Sequence, residues 1–141
     1  MIQEDYVSFE VAKLLKDKGF NEATNRYYNA QYDGIRTVSD TFMTYWNNEN
    51  HMKELMMEGA IAIPTLQMVC KWLREVHNIF IEIYMPSHSE HEDTIYHGTY
   101  SFDIFNLNTK GYVYCTWNEP EFNSYEEAIE AGIKYTLENL I

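Results

Sequence analysis

The chain has 141 residues, about the size of one domain, and its 10 basic and 22 acidic side chains give a formal charge of −12. This balance lacks the cation clusters with which proteins neutralise nucleic-acid phosphates or anionic membranes. We therefore expect neither nucleic acid nor membrane as a partner. An acidic surface of this kind is most often explained by solubility, and the more specific alternative is a basic protein partner. No apolar run approaches the roughly 18 residues of a membrane span, and the acidic start is unlike a signal peptide.

The cysteine and aromatic content narrows the class of protein further. Cys70 and Cys115 lie far apart among apolar residues and without a CxxC spacing, which predicts reduced core side chains in a cytoplasmic protein. Aromatic residues make up 16% of the chain, and 12 tyrosines supply most of them. Because tyrosine packs its ring while its hydroxyl stays in water, this content is typical of half-exposed sheet faces or of a binding surface.

The first predicted element is a helix within residues 7–20. Ser8 is a suitable N-cap, and Gly19 is a typical residue at which a helix ends. Between them lies an apolar stripe at helical spacing: Val11, Leu14 and Leu15.

A hairpin is predicted next, in residues 26–38. Asp33 and Gly34 form a dipeptide typical of a type I′ turn between aromatic and β-branched residues. The segment that follows is ambiguous, because residues 40–46 are compatible with a strand and residues 49–59 favour a short Met-rich helix.

Residues 65–78 predict an amphipathic helix that ends at Asn78. Its apolar residues recur on one face: Leu66, Val69, Cys70, Leu73 and Val76. Trp72 and Arg74 are residue types that often dominate protein interfaces, so both are interaction candidates. Trp72 also lies close to the apolar stripe, which is compatible with packing at the edge of the core.

Three strands and a last helix complete the chain. Residues 79–85, 98–107 and 112–117 alternate as strands do. Ser124 and Glu127 form an S-x-x-E capping box that begins the C-terminal helix. The buried stripe predicted for this helix is Ile129, Ile133, Thr136, Leu137 and Leu140.

These elements predict a single α+β domain over residues 1–141, with an antiparallel sheet and helices packed on one of its faces. Residues 1–63 supply a helix, the hairpin and a short helix, and residues 64–141 form an α-β-β-β-α unit. Further interaction candidates lie in the strands: Tyr100, Tyr112, Tyr114 and Trp117.

The stretch "SHSEHEDTIYH", residues 87–97, places three histidines among three acids between the first two of these strands. Metal ligands need a rigid scaffold, and neither HExxH nor a second ligand cluster is present. We therefore expect a polar loop without a metal, in which residues 87–95 project into solvent and are mobile. His97 is the exception, because it begins the next strand, where it can pack against Tyr96 or Tyr84. The alternatives are a metal site, with His88, His91 and His97 as weak candidates, and a pH-sensitive contact.

No glycine-rich phosphate loop, GxSxG elbow or cysteine nucleophile motif occurs, and no cofactor is expected. Glu126 and Glu127 are explained by the helix dipole, which favours negative charge in a first turn. The first functional hypothesis is therefore a non-enzymatic acidic protein that binds a protein partner. The alternative is a small-molecule or metal-dependent enzyme or ligand sensor that uses an aromatic-lined pocket and the 87–97 loop.

Two resemblances bear on these hypotheses. Residues 65–140 resemble the double-stranded RNA-binding domain in the order of their elements. That family binds RNA through a basic cluster at the start of its last helix, where this chain has Glu126, Glu127 and Glu130. This resemblance therefore implies a shared topology and no RNA binding.

The second resemblance rests on "YVSFEVAKLLKDKGF", "PTLQMVCKWLREVHNIFIEI" and "SYEEAIEAGIKYTLENL". These segments resemble a group of small hypothetical proteins found in gut anaerobes and their phages, and together they cover most of the chain. The resemblance implies a phage or mobile element as the source and transfers no activity and no site. In that context the acidic surface favours an inhibitor or nucleic-acid mimic that binds a basic host protein.

Overall fold

Helices and short antiparallel strands alternate along the chain, so the predicted α+β class is confirmed. The structure, a computed structural model, describes residues 1–32, 34–90, 93–96, 98–116 and 121–141, with only the backbone for 87–90 and 93–96. Contacts divide the chain into two compact units, Met1–Met68 and Val69–Ile141. This boundary lies close to the division made from the sequence.

The first helix, α1 (Phe9–Asp17), begins and ends as predicted. The Ser8 hydroxyl accepts a hydrogen bond from the backbone N–H three residues later, at 3.3 Å. At the other end Gly19 has a φ of 85°, and the N–H of Phe20 donates to the carbonyl of Leu15 at 2.9 Å. Glycine is favoured there because the left-handed conformation has no Cβ penalty.

The sheet of the first unit has the strand order β2-β1-β3, and all its pairs are antiparallel. Its strands are β1 (Arg26–Asn29), β2 (Gly34–Thr37) and β3 (Ile61–Ala62). The predicted hairpin is confirmed, but the turn placed at Asp33 and Gly34 is wrong. Gly34 pairs with Asn29 inside the sheet, and a 3-10 turn at Ala30–Tyr32 begins the connection. Asp33 lies outside the described residues.

The ambiguous segment contains the predicted short helix, α2 (Glu49–Glu54). The strand considered for residues 40–46 is wrong, because the segment begins with a 3-10 turn and a single residue pairs, in an isolated bridge to Thr24. Trp46 is buried, stacks on Tyr27 at 3.8 Å and donates from Nε1 to the carbonyl of Thr24 at 2.7 Å. Ring packing and this hydrogen bond fix the position of the segment, instead of the ladder of backbone hydrogen bonds that would fix a strand.

The next helix, α3 (Leu66–His77), also forms where the sequence predicts it. It ends at Asn78, whose φ of 57° lies in the left-handed region that asparagine tolerates. Four of the five predicted stripe residues are buried. Val76 is 55% exposed, because it lies in the last turn beyond the buried part of the helix.

The second unit continues with β4 (Ile79–Tyr84), β5 (Ser87–Glu90), β6 (Asp93–Tyr96), β7 (Ser101–Asn106), β8 (Gly111–Cys115) and α4 (Tyr125–Asn139). The strands β4, β7 and β8 form an antiparallel sheet in the order β4-β7-β8. Together with α3 and α4 they confirm the predicted α-β-β-β-α order.

The prediction that residues 87–97 form a polar loop is wrong for the backbone of this segment. β5 and β6 pair as a separate antiparallel ribbon, with Ser89 opposite Thr94. Backbone pairing in this ribbon satisfies peptide groups that a loop would leave to water. The side chains of the segment, and all of His91 and His97, lie outside the described residues, so the predicted exposure and mobility are untested.

Helix α4 begins with a capping arrangement close to the predicted one. The Ser124 hydroxyl accepts from the N–H of Glu127 at 3.1 Å. The Glu127 carboxylate accepts in turn from the N–H of Asn123 at 3.2 Å, one residue before the N-cap. Both bonds satisfy donors that a helix start would otherwise leave unpaired.

Helix α4 packs closely on β4 and β7. Gly132 faces the sheet, and a Cβ added there would lie 2.8 Å from Cγ2 of Ile81 and 3.2 Å from the ring of Phe102. The predicted stripe is buried except for Leu140, which is only half-buried at the end of the helix.

Candidate protein-binding surface

The two faces of the β4-β7-β8 sheet differ in what packs against them. One face lies under α4, where Ile81, Phe102 and Ile104 are buried. Because side chains alternate along a strand, the residues between them point to the other side. Its exposed or half-buried residues Phe80, Glu82, Asp103, Phe105, Tyr112 and Cys115 are termed the open face, whereas Ser101, on the same side at the end of β7, is buried.

An aromatic row crosses the open face. Phe80 lies opposite Phe105, and Phe105 lies opposite Tyr112 on the next strand. The rings of Phe105 and Tyr112 meet edge to face, with centroids 5.3 Å apart at 81°. Phe80 is 38% exposed and Tyr112 is 56% exposed. The row is therefore accessible to a partner, and aromatic residues are enriched where protein interfaces form.

An acidic row lies beside the aromatic one. Glu82 and Asp103 are directly opposite each other on adjacent strands, and like charges in that arrangement are destabilising. Glu82 Oε2 accepts a hydrogen bond from the Tyr112 hydroxyl at 3.1 Å, and Asp103 Oδ1 accepts from the N–H of Thr116 at 3.1 Å. No lysine or arginine among the described residues pairs with either carboxylate.

Electrostatic coupling joins the two rows. The hydrogen bond to Glu82, with the negative charge of that carboxylate, raises the pKa of the Tyr112 hydroxyl above its usual value. The cause is that a neighbouring carboxylate favours the neutral phenol over the phenolate. Tyr112 is therefore a neutral hydrogen-bond donor at physiological pH.

A bulge decides which tyrosine belongs to the open face. The pairing of β7 and β8 shifts at Val113, so Ile104 pairs with Tyr114 while Phe105 pairs with Tyr112. Tyr114 consequently lies on the helix side, where it stacks on Tyr135 at 3.9 Å. Of these two predicted interaction candidates, only Tyr112 lies on the open face.

The other predicted candidates lie elsewhere. Trp72 is 6% exposed and meets the His77 ring edge to face at 4.6 Å, so it is a core residue, as the edge-packing alternative held. Arg74 and Tyr100 are half-buried, and Tyr100 lies in an isolated bridge outside the named strands. Trp117 lies outside the described residues.

Sequence reasoning missed Phe80, Glu82, Asp103 and Phe105 as candidate site residues. The signal for the first two was present in "IFIEIY", because three alternating isoleucines that point inward leave Phe80 and Glu82 pointing outward. Recognising that Phe105 and Asp103 continue the same rows needs the register between β4 and β7.

The cysteines do not share one environment. Cys70 is buried, and burial raises the pKa of its thiol to about 11 against a smaller opposing effect of the Arg74 charge. Cys115 is exposed, so the prediction that it is a core residue is wrong. The bulge at Val113 is the cause, since it shifts the alternation of β8 and places Cys115 on the open face beside Asp103.

Features for the alternative hypothesis are sparse in the described part of the chain. No group of three or more histidine, cysteine or acidic side chains described there is placed to hold a metal ion. The side chains of His88, His91 and His97 lie outside that part. A cavity of about 670 Å³ occurs in the first unit, but its lining contains a single aromatic residue, Tyr6, so it is not an aromatic-lined pocket.

The described helices are all too short or too polar to traverse a lipid bilayer. No protein-family model, curated protein or solved structure matches the chain.

Proposed function

We propose that this chain is a non-enzymatic interaction protein that binds a basic protein partner through the open face. The observation that carries the proposal is the pair of facing carboxylates, Glu82 and Asp103, beside an exposed aromatic row. A lysine or arginine from a partner would neutralise the pair and relieve the repulsion between its members. Its aliphatic stem or guanidinium plane would pack against the ring of Tyr112.

The charge of the surrounding unit supports the same kind of partner. Residues 69–141 contain 4 basic and 12 acidic side chains, a formal charge of −8. A field of this sign accelerates the encounter with a basic protein and disfavours acidic ones. Following the resemblance to phage and gut-anaerobe proteins, we extend the proposal to an inhibitor or nucleic-acid mimic encoded by a mobile element and acting in the cytoplasm. Two free cysteines support a reducing compartment.

The proposal contains no catalytic step. A general acid is typically a carboxyl enclosed within a site. Glu82 and Asp103 instead lie half-buried on a sheet face beside the exposed rings of Phe80 and Tyr112. This environment suits recognition of a cation more than proton transfer.

The test is the affinity of purified protein for a fluorescent peptide rich in arginine and lysine, measured by anisotropy. Tyr112→Ala and Glu82→Gln should each weaken binding about tenfold, equivalent to about 1.4 kcal/mol. Two matched controls lie outside the open face. Tyr45→Ala removes a tyrosine that is 50% exposed in the first unit, and Glu138→Gln removes an exposed carboxylate from α4. Neither control should change the affinity by more than about twofold.

Two outcomes would contradict the proposal. Equal losses in Glu82→Gln and Glu138→Gln would mean that net charge alone attracts the peptide. An affinity that does not weaken between low and high salt would exclude charge recognition, because exposed charges are screened.

A further inference from the structure

The outer edge of β8 carries no paired strand in the described part of the chain. β8 is last in the strand order β4-β7-β8, so it pairs on one side only. Tyr112 and Val113 are 56% and 43% exposed, and Cys115 at the end of the strand is also exposed. A strand edge of this kind presents unpaired N–H and C=O groups, on which an extended chain can add a further strand.

One hydrogen bond fixes the direction of the backbone groups of β7. Bonds in an antiparallel pair involve every second residue, so a single bond determines which residues face which neighbour. The N–H of Leu107 donates to the carbonyl of Asn78 on the β4 side at 2.8 Å. Counting back by twos along the register with β4, Phe105 and Asp103 also direct their backbone groups to β4. These groups are therefore not available to β8.

The same alternation identifies the free groups of β8. Tyr112 lies opposite Phe105, and Cys115 lies opposite Asp103. Because the backbone groups of these β7 residues point to β4, the N–H and C=O groups of Tyr112 and Cys115 point away from β7, to the free edge. An added strand would pair with these two residues. Its own residues opposite them would direct their side chains to the open face, because directly opposed residues share one face of a sheet.

The open face makes this edge complementary to a basic strand. Asp103 lies two strand spacings, roughly 10 Å, from the position of an added strand, with Cys115 between them. The side chain of Cys115 is short, so a lysine or arginine opposite it can extend over it to the Asp103 carboxylate. Glu82 lies opposite Asp103 on β4 and adds a second negative charge. Basic side chains are therefore favoured on the side of the added strand that faces the carboxylates.

A second copy of this chain fits the edge less well. Two copies would bring two acidic open faces together, and like charges disfavour that contact. The bulge at Val113 also interrupts the regular spacing of β8, and bulges at sheet edges hinder pairing between copies. A regular strand can still pair here, because β7 already does so: its residues Asp103 and Phe105, two apart, lie opposite Cys115 and Tyr112, three apart.

We propose that the basic partner binds as an extended segment that adds a strand to β8, with lysine or arginine at alternate positions above the open face. This inference rests on the proposed function and specifies the form of the partner at the same site. The backbone of the segment forms hydrogen bonds with Tyr112 and Cys115, and its alternate side chains contact the acidic pair. A helix of the same charge would lack the backbone contribution.

The test uses an octapeptide that alternates lysine and valine, together with two N-methylated forms that keep its side chains and charge. Lysines above the open face direct their own N–H groups to β8, since the residues opposite Tyr112 and Cys115 form hydrogen-bonded pairs with them. Methylating the lysine N–H groups should therefore weaken binding at least about tenfold. Methylating the valine N–H groups, which point to water, is the matched control and should change the affinity by less than about twofold.

Amide hydrogen exchange of the ¹⁵N-labelled protein gives a second measurement. The N–H groups of Tyr112 and Cys115 should exchange readily in the free protein, because they point to an exposed edge. Saturation with the unmodified peptide should slow their exchange at least about tenfold. The N–H of Phe105 is directed to β4 in both states, so its exchange should change less than theirs.

The edge of β2 provides a control in the first unit. A bond of 2.7 Å from the N–H of Val38 to the carbonyl of Asn25, with the register of β1 and β2, directs the backbone groups of Ile35 and Thr37 outward. No acidic residue occurs in β2. The peptide should therefore leave exchange at Ile35 and Thr37 unchanged, and equal slowing there would refute selection of the edge by the acidic pair.

Three other results separate the possible failures. Equal binding of all three peptides, with amide shifts on the open face, would overturn strand addition and leave the proposed function standing. Absence of binding by these peptides and by every other basic peptide would overturn both. Slow exchange of Tyr112 and Cys115 that appears without peptide, as the protein concentration rises, would assign the edge to a second copy of this chain.

Discussion

Replacing Gly132 with alanine should destabilise the protein, although alanine is favoured over glycine inside a helix by about 1 kcal/mol. The new Cβ would lie 2.8 Å from Cγ2 of Ile81, well inside the roughly 3.5–4.0 Å of a normal carbon contact. This methyl group branches from the Cβ of a strand residue, so it cannot move away without rotating χ1. Overpacking of this kind costs about 1–3 kcal/mol. The net change is therefore a loss of up to about 2 kcal/mol.

Urea denaturation followed by circular dichroism measures this loss, provided that the m-value stays constant. Ile81→Ala removes the contacted methyl group and leaves only the Phe102 ring close to the new Cβ, so adding Gly132→Ala to that variant should destabilise it less than it destabilises the wild type. The double-mutant cycle isolates the overlap from the gain in helix propensity. A higher urea midpoint for Gly132→Ala alone would refute the close approach of α4 to the sheet.

Three further predictions concern buried and polar side chains. Leu73→Ala should lower the free energy of unfolding by about 2–5 kcal/mol, because Leu73 is fully buried. A loss below about 0.5 kcal/mol would mean that the buried face of α3 is misassigned. Cys115 is exposed and should react with a thiol reagent in the native protein. Cys70 should react only as the protein unfolds, because burial raises the pKa of its thiol to about 11. Equal rates of reaction for the two cysteines in the native protein would contradict this prediction. Replacing His88 and His91 together by alanine should change stability by less than about 0.5 kcal/mol. A zinc-dependent rise in melting temperature that this double change abolishes would identify a metal site instead.

The helix ends could be predicted from the sequence because capping acts within a few residues. Ser8 and Ser124 accept hydrogen bonds from N–H groups three positions later, and Gly19 takes the left-handed conformation that ends α1. None of these features depends on distant parts of the chain. For the same reason the α-β-β-β-α order of the C-terminal half followed from local periodicity.

The side of the sheet on which each strand residue lies was less predictable, because it depends on the pairing between strands. In "YVYC" a regular alternation would place Tyr112 and Tyr114 on the same face. The bulge at Val113 separates them and brings Cys115 to the surface. A bulge is set by the register with β7, which leaves no mark in the composition of β8.

Only part of the candidate site could be predicted from the sequence, for a related reason. Interface-prone residue types were recognised, but Trp72 is buried while Tyr112 is exposed. Composition identifies which residues can form an interface, whereas burial depends on what packs above them. The facing carboxylates Glu82 and Asp103 became visible only with the register of β4 and β7.

The central claim is that the open face binds a basic partner, and the most direct test is a map of the contact surface by NMR. ¹⁵N-labelled protein is titrated with the arginine- and lysine-rich peptide, and the amide shifts are assigned. The account predicts the largest shifts at Phe80, Glu82, Asp103, Phe105 and Tyr112, and their loss at high salt. Peptide binding with shifts confined to residues outside the open face would contradict it.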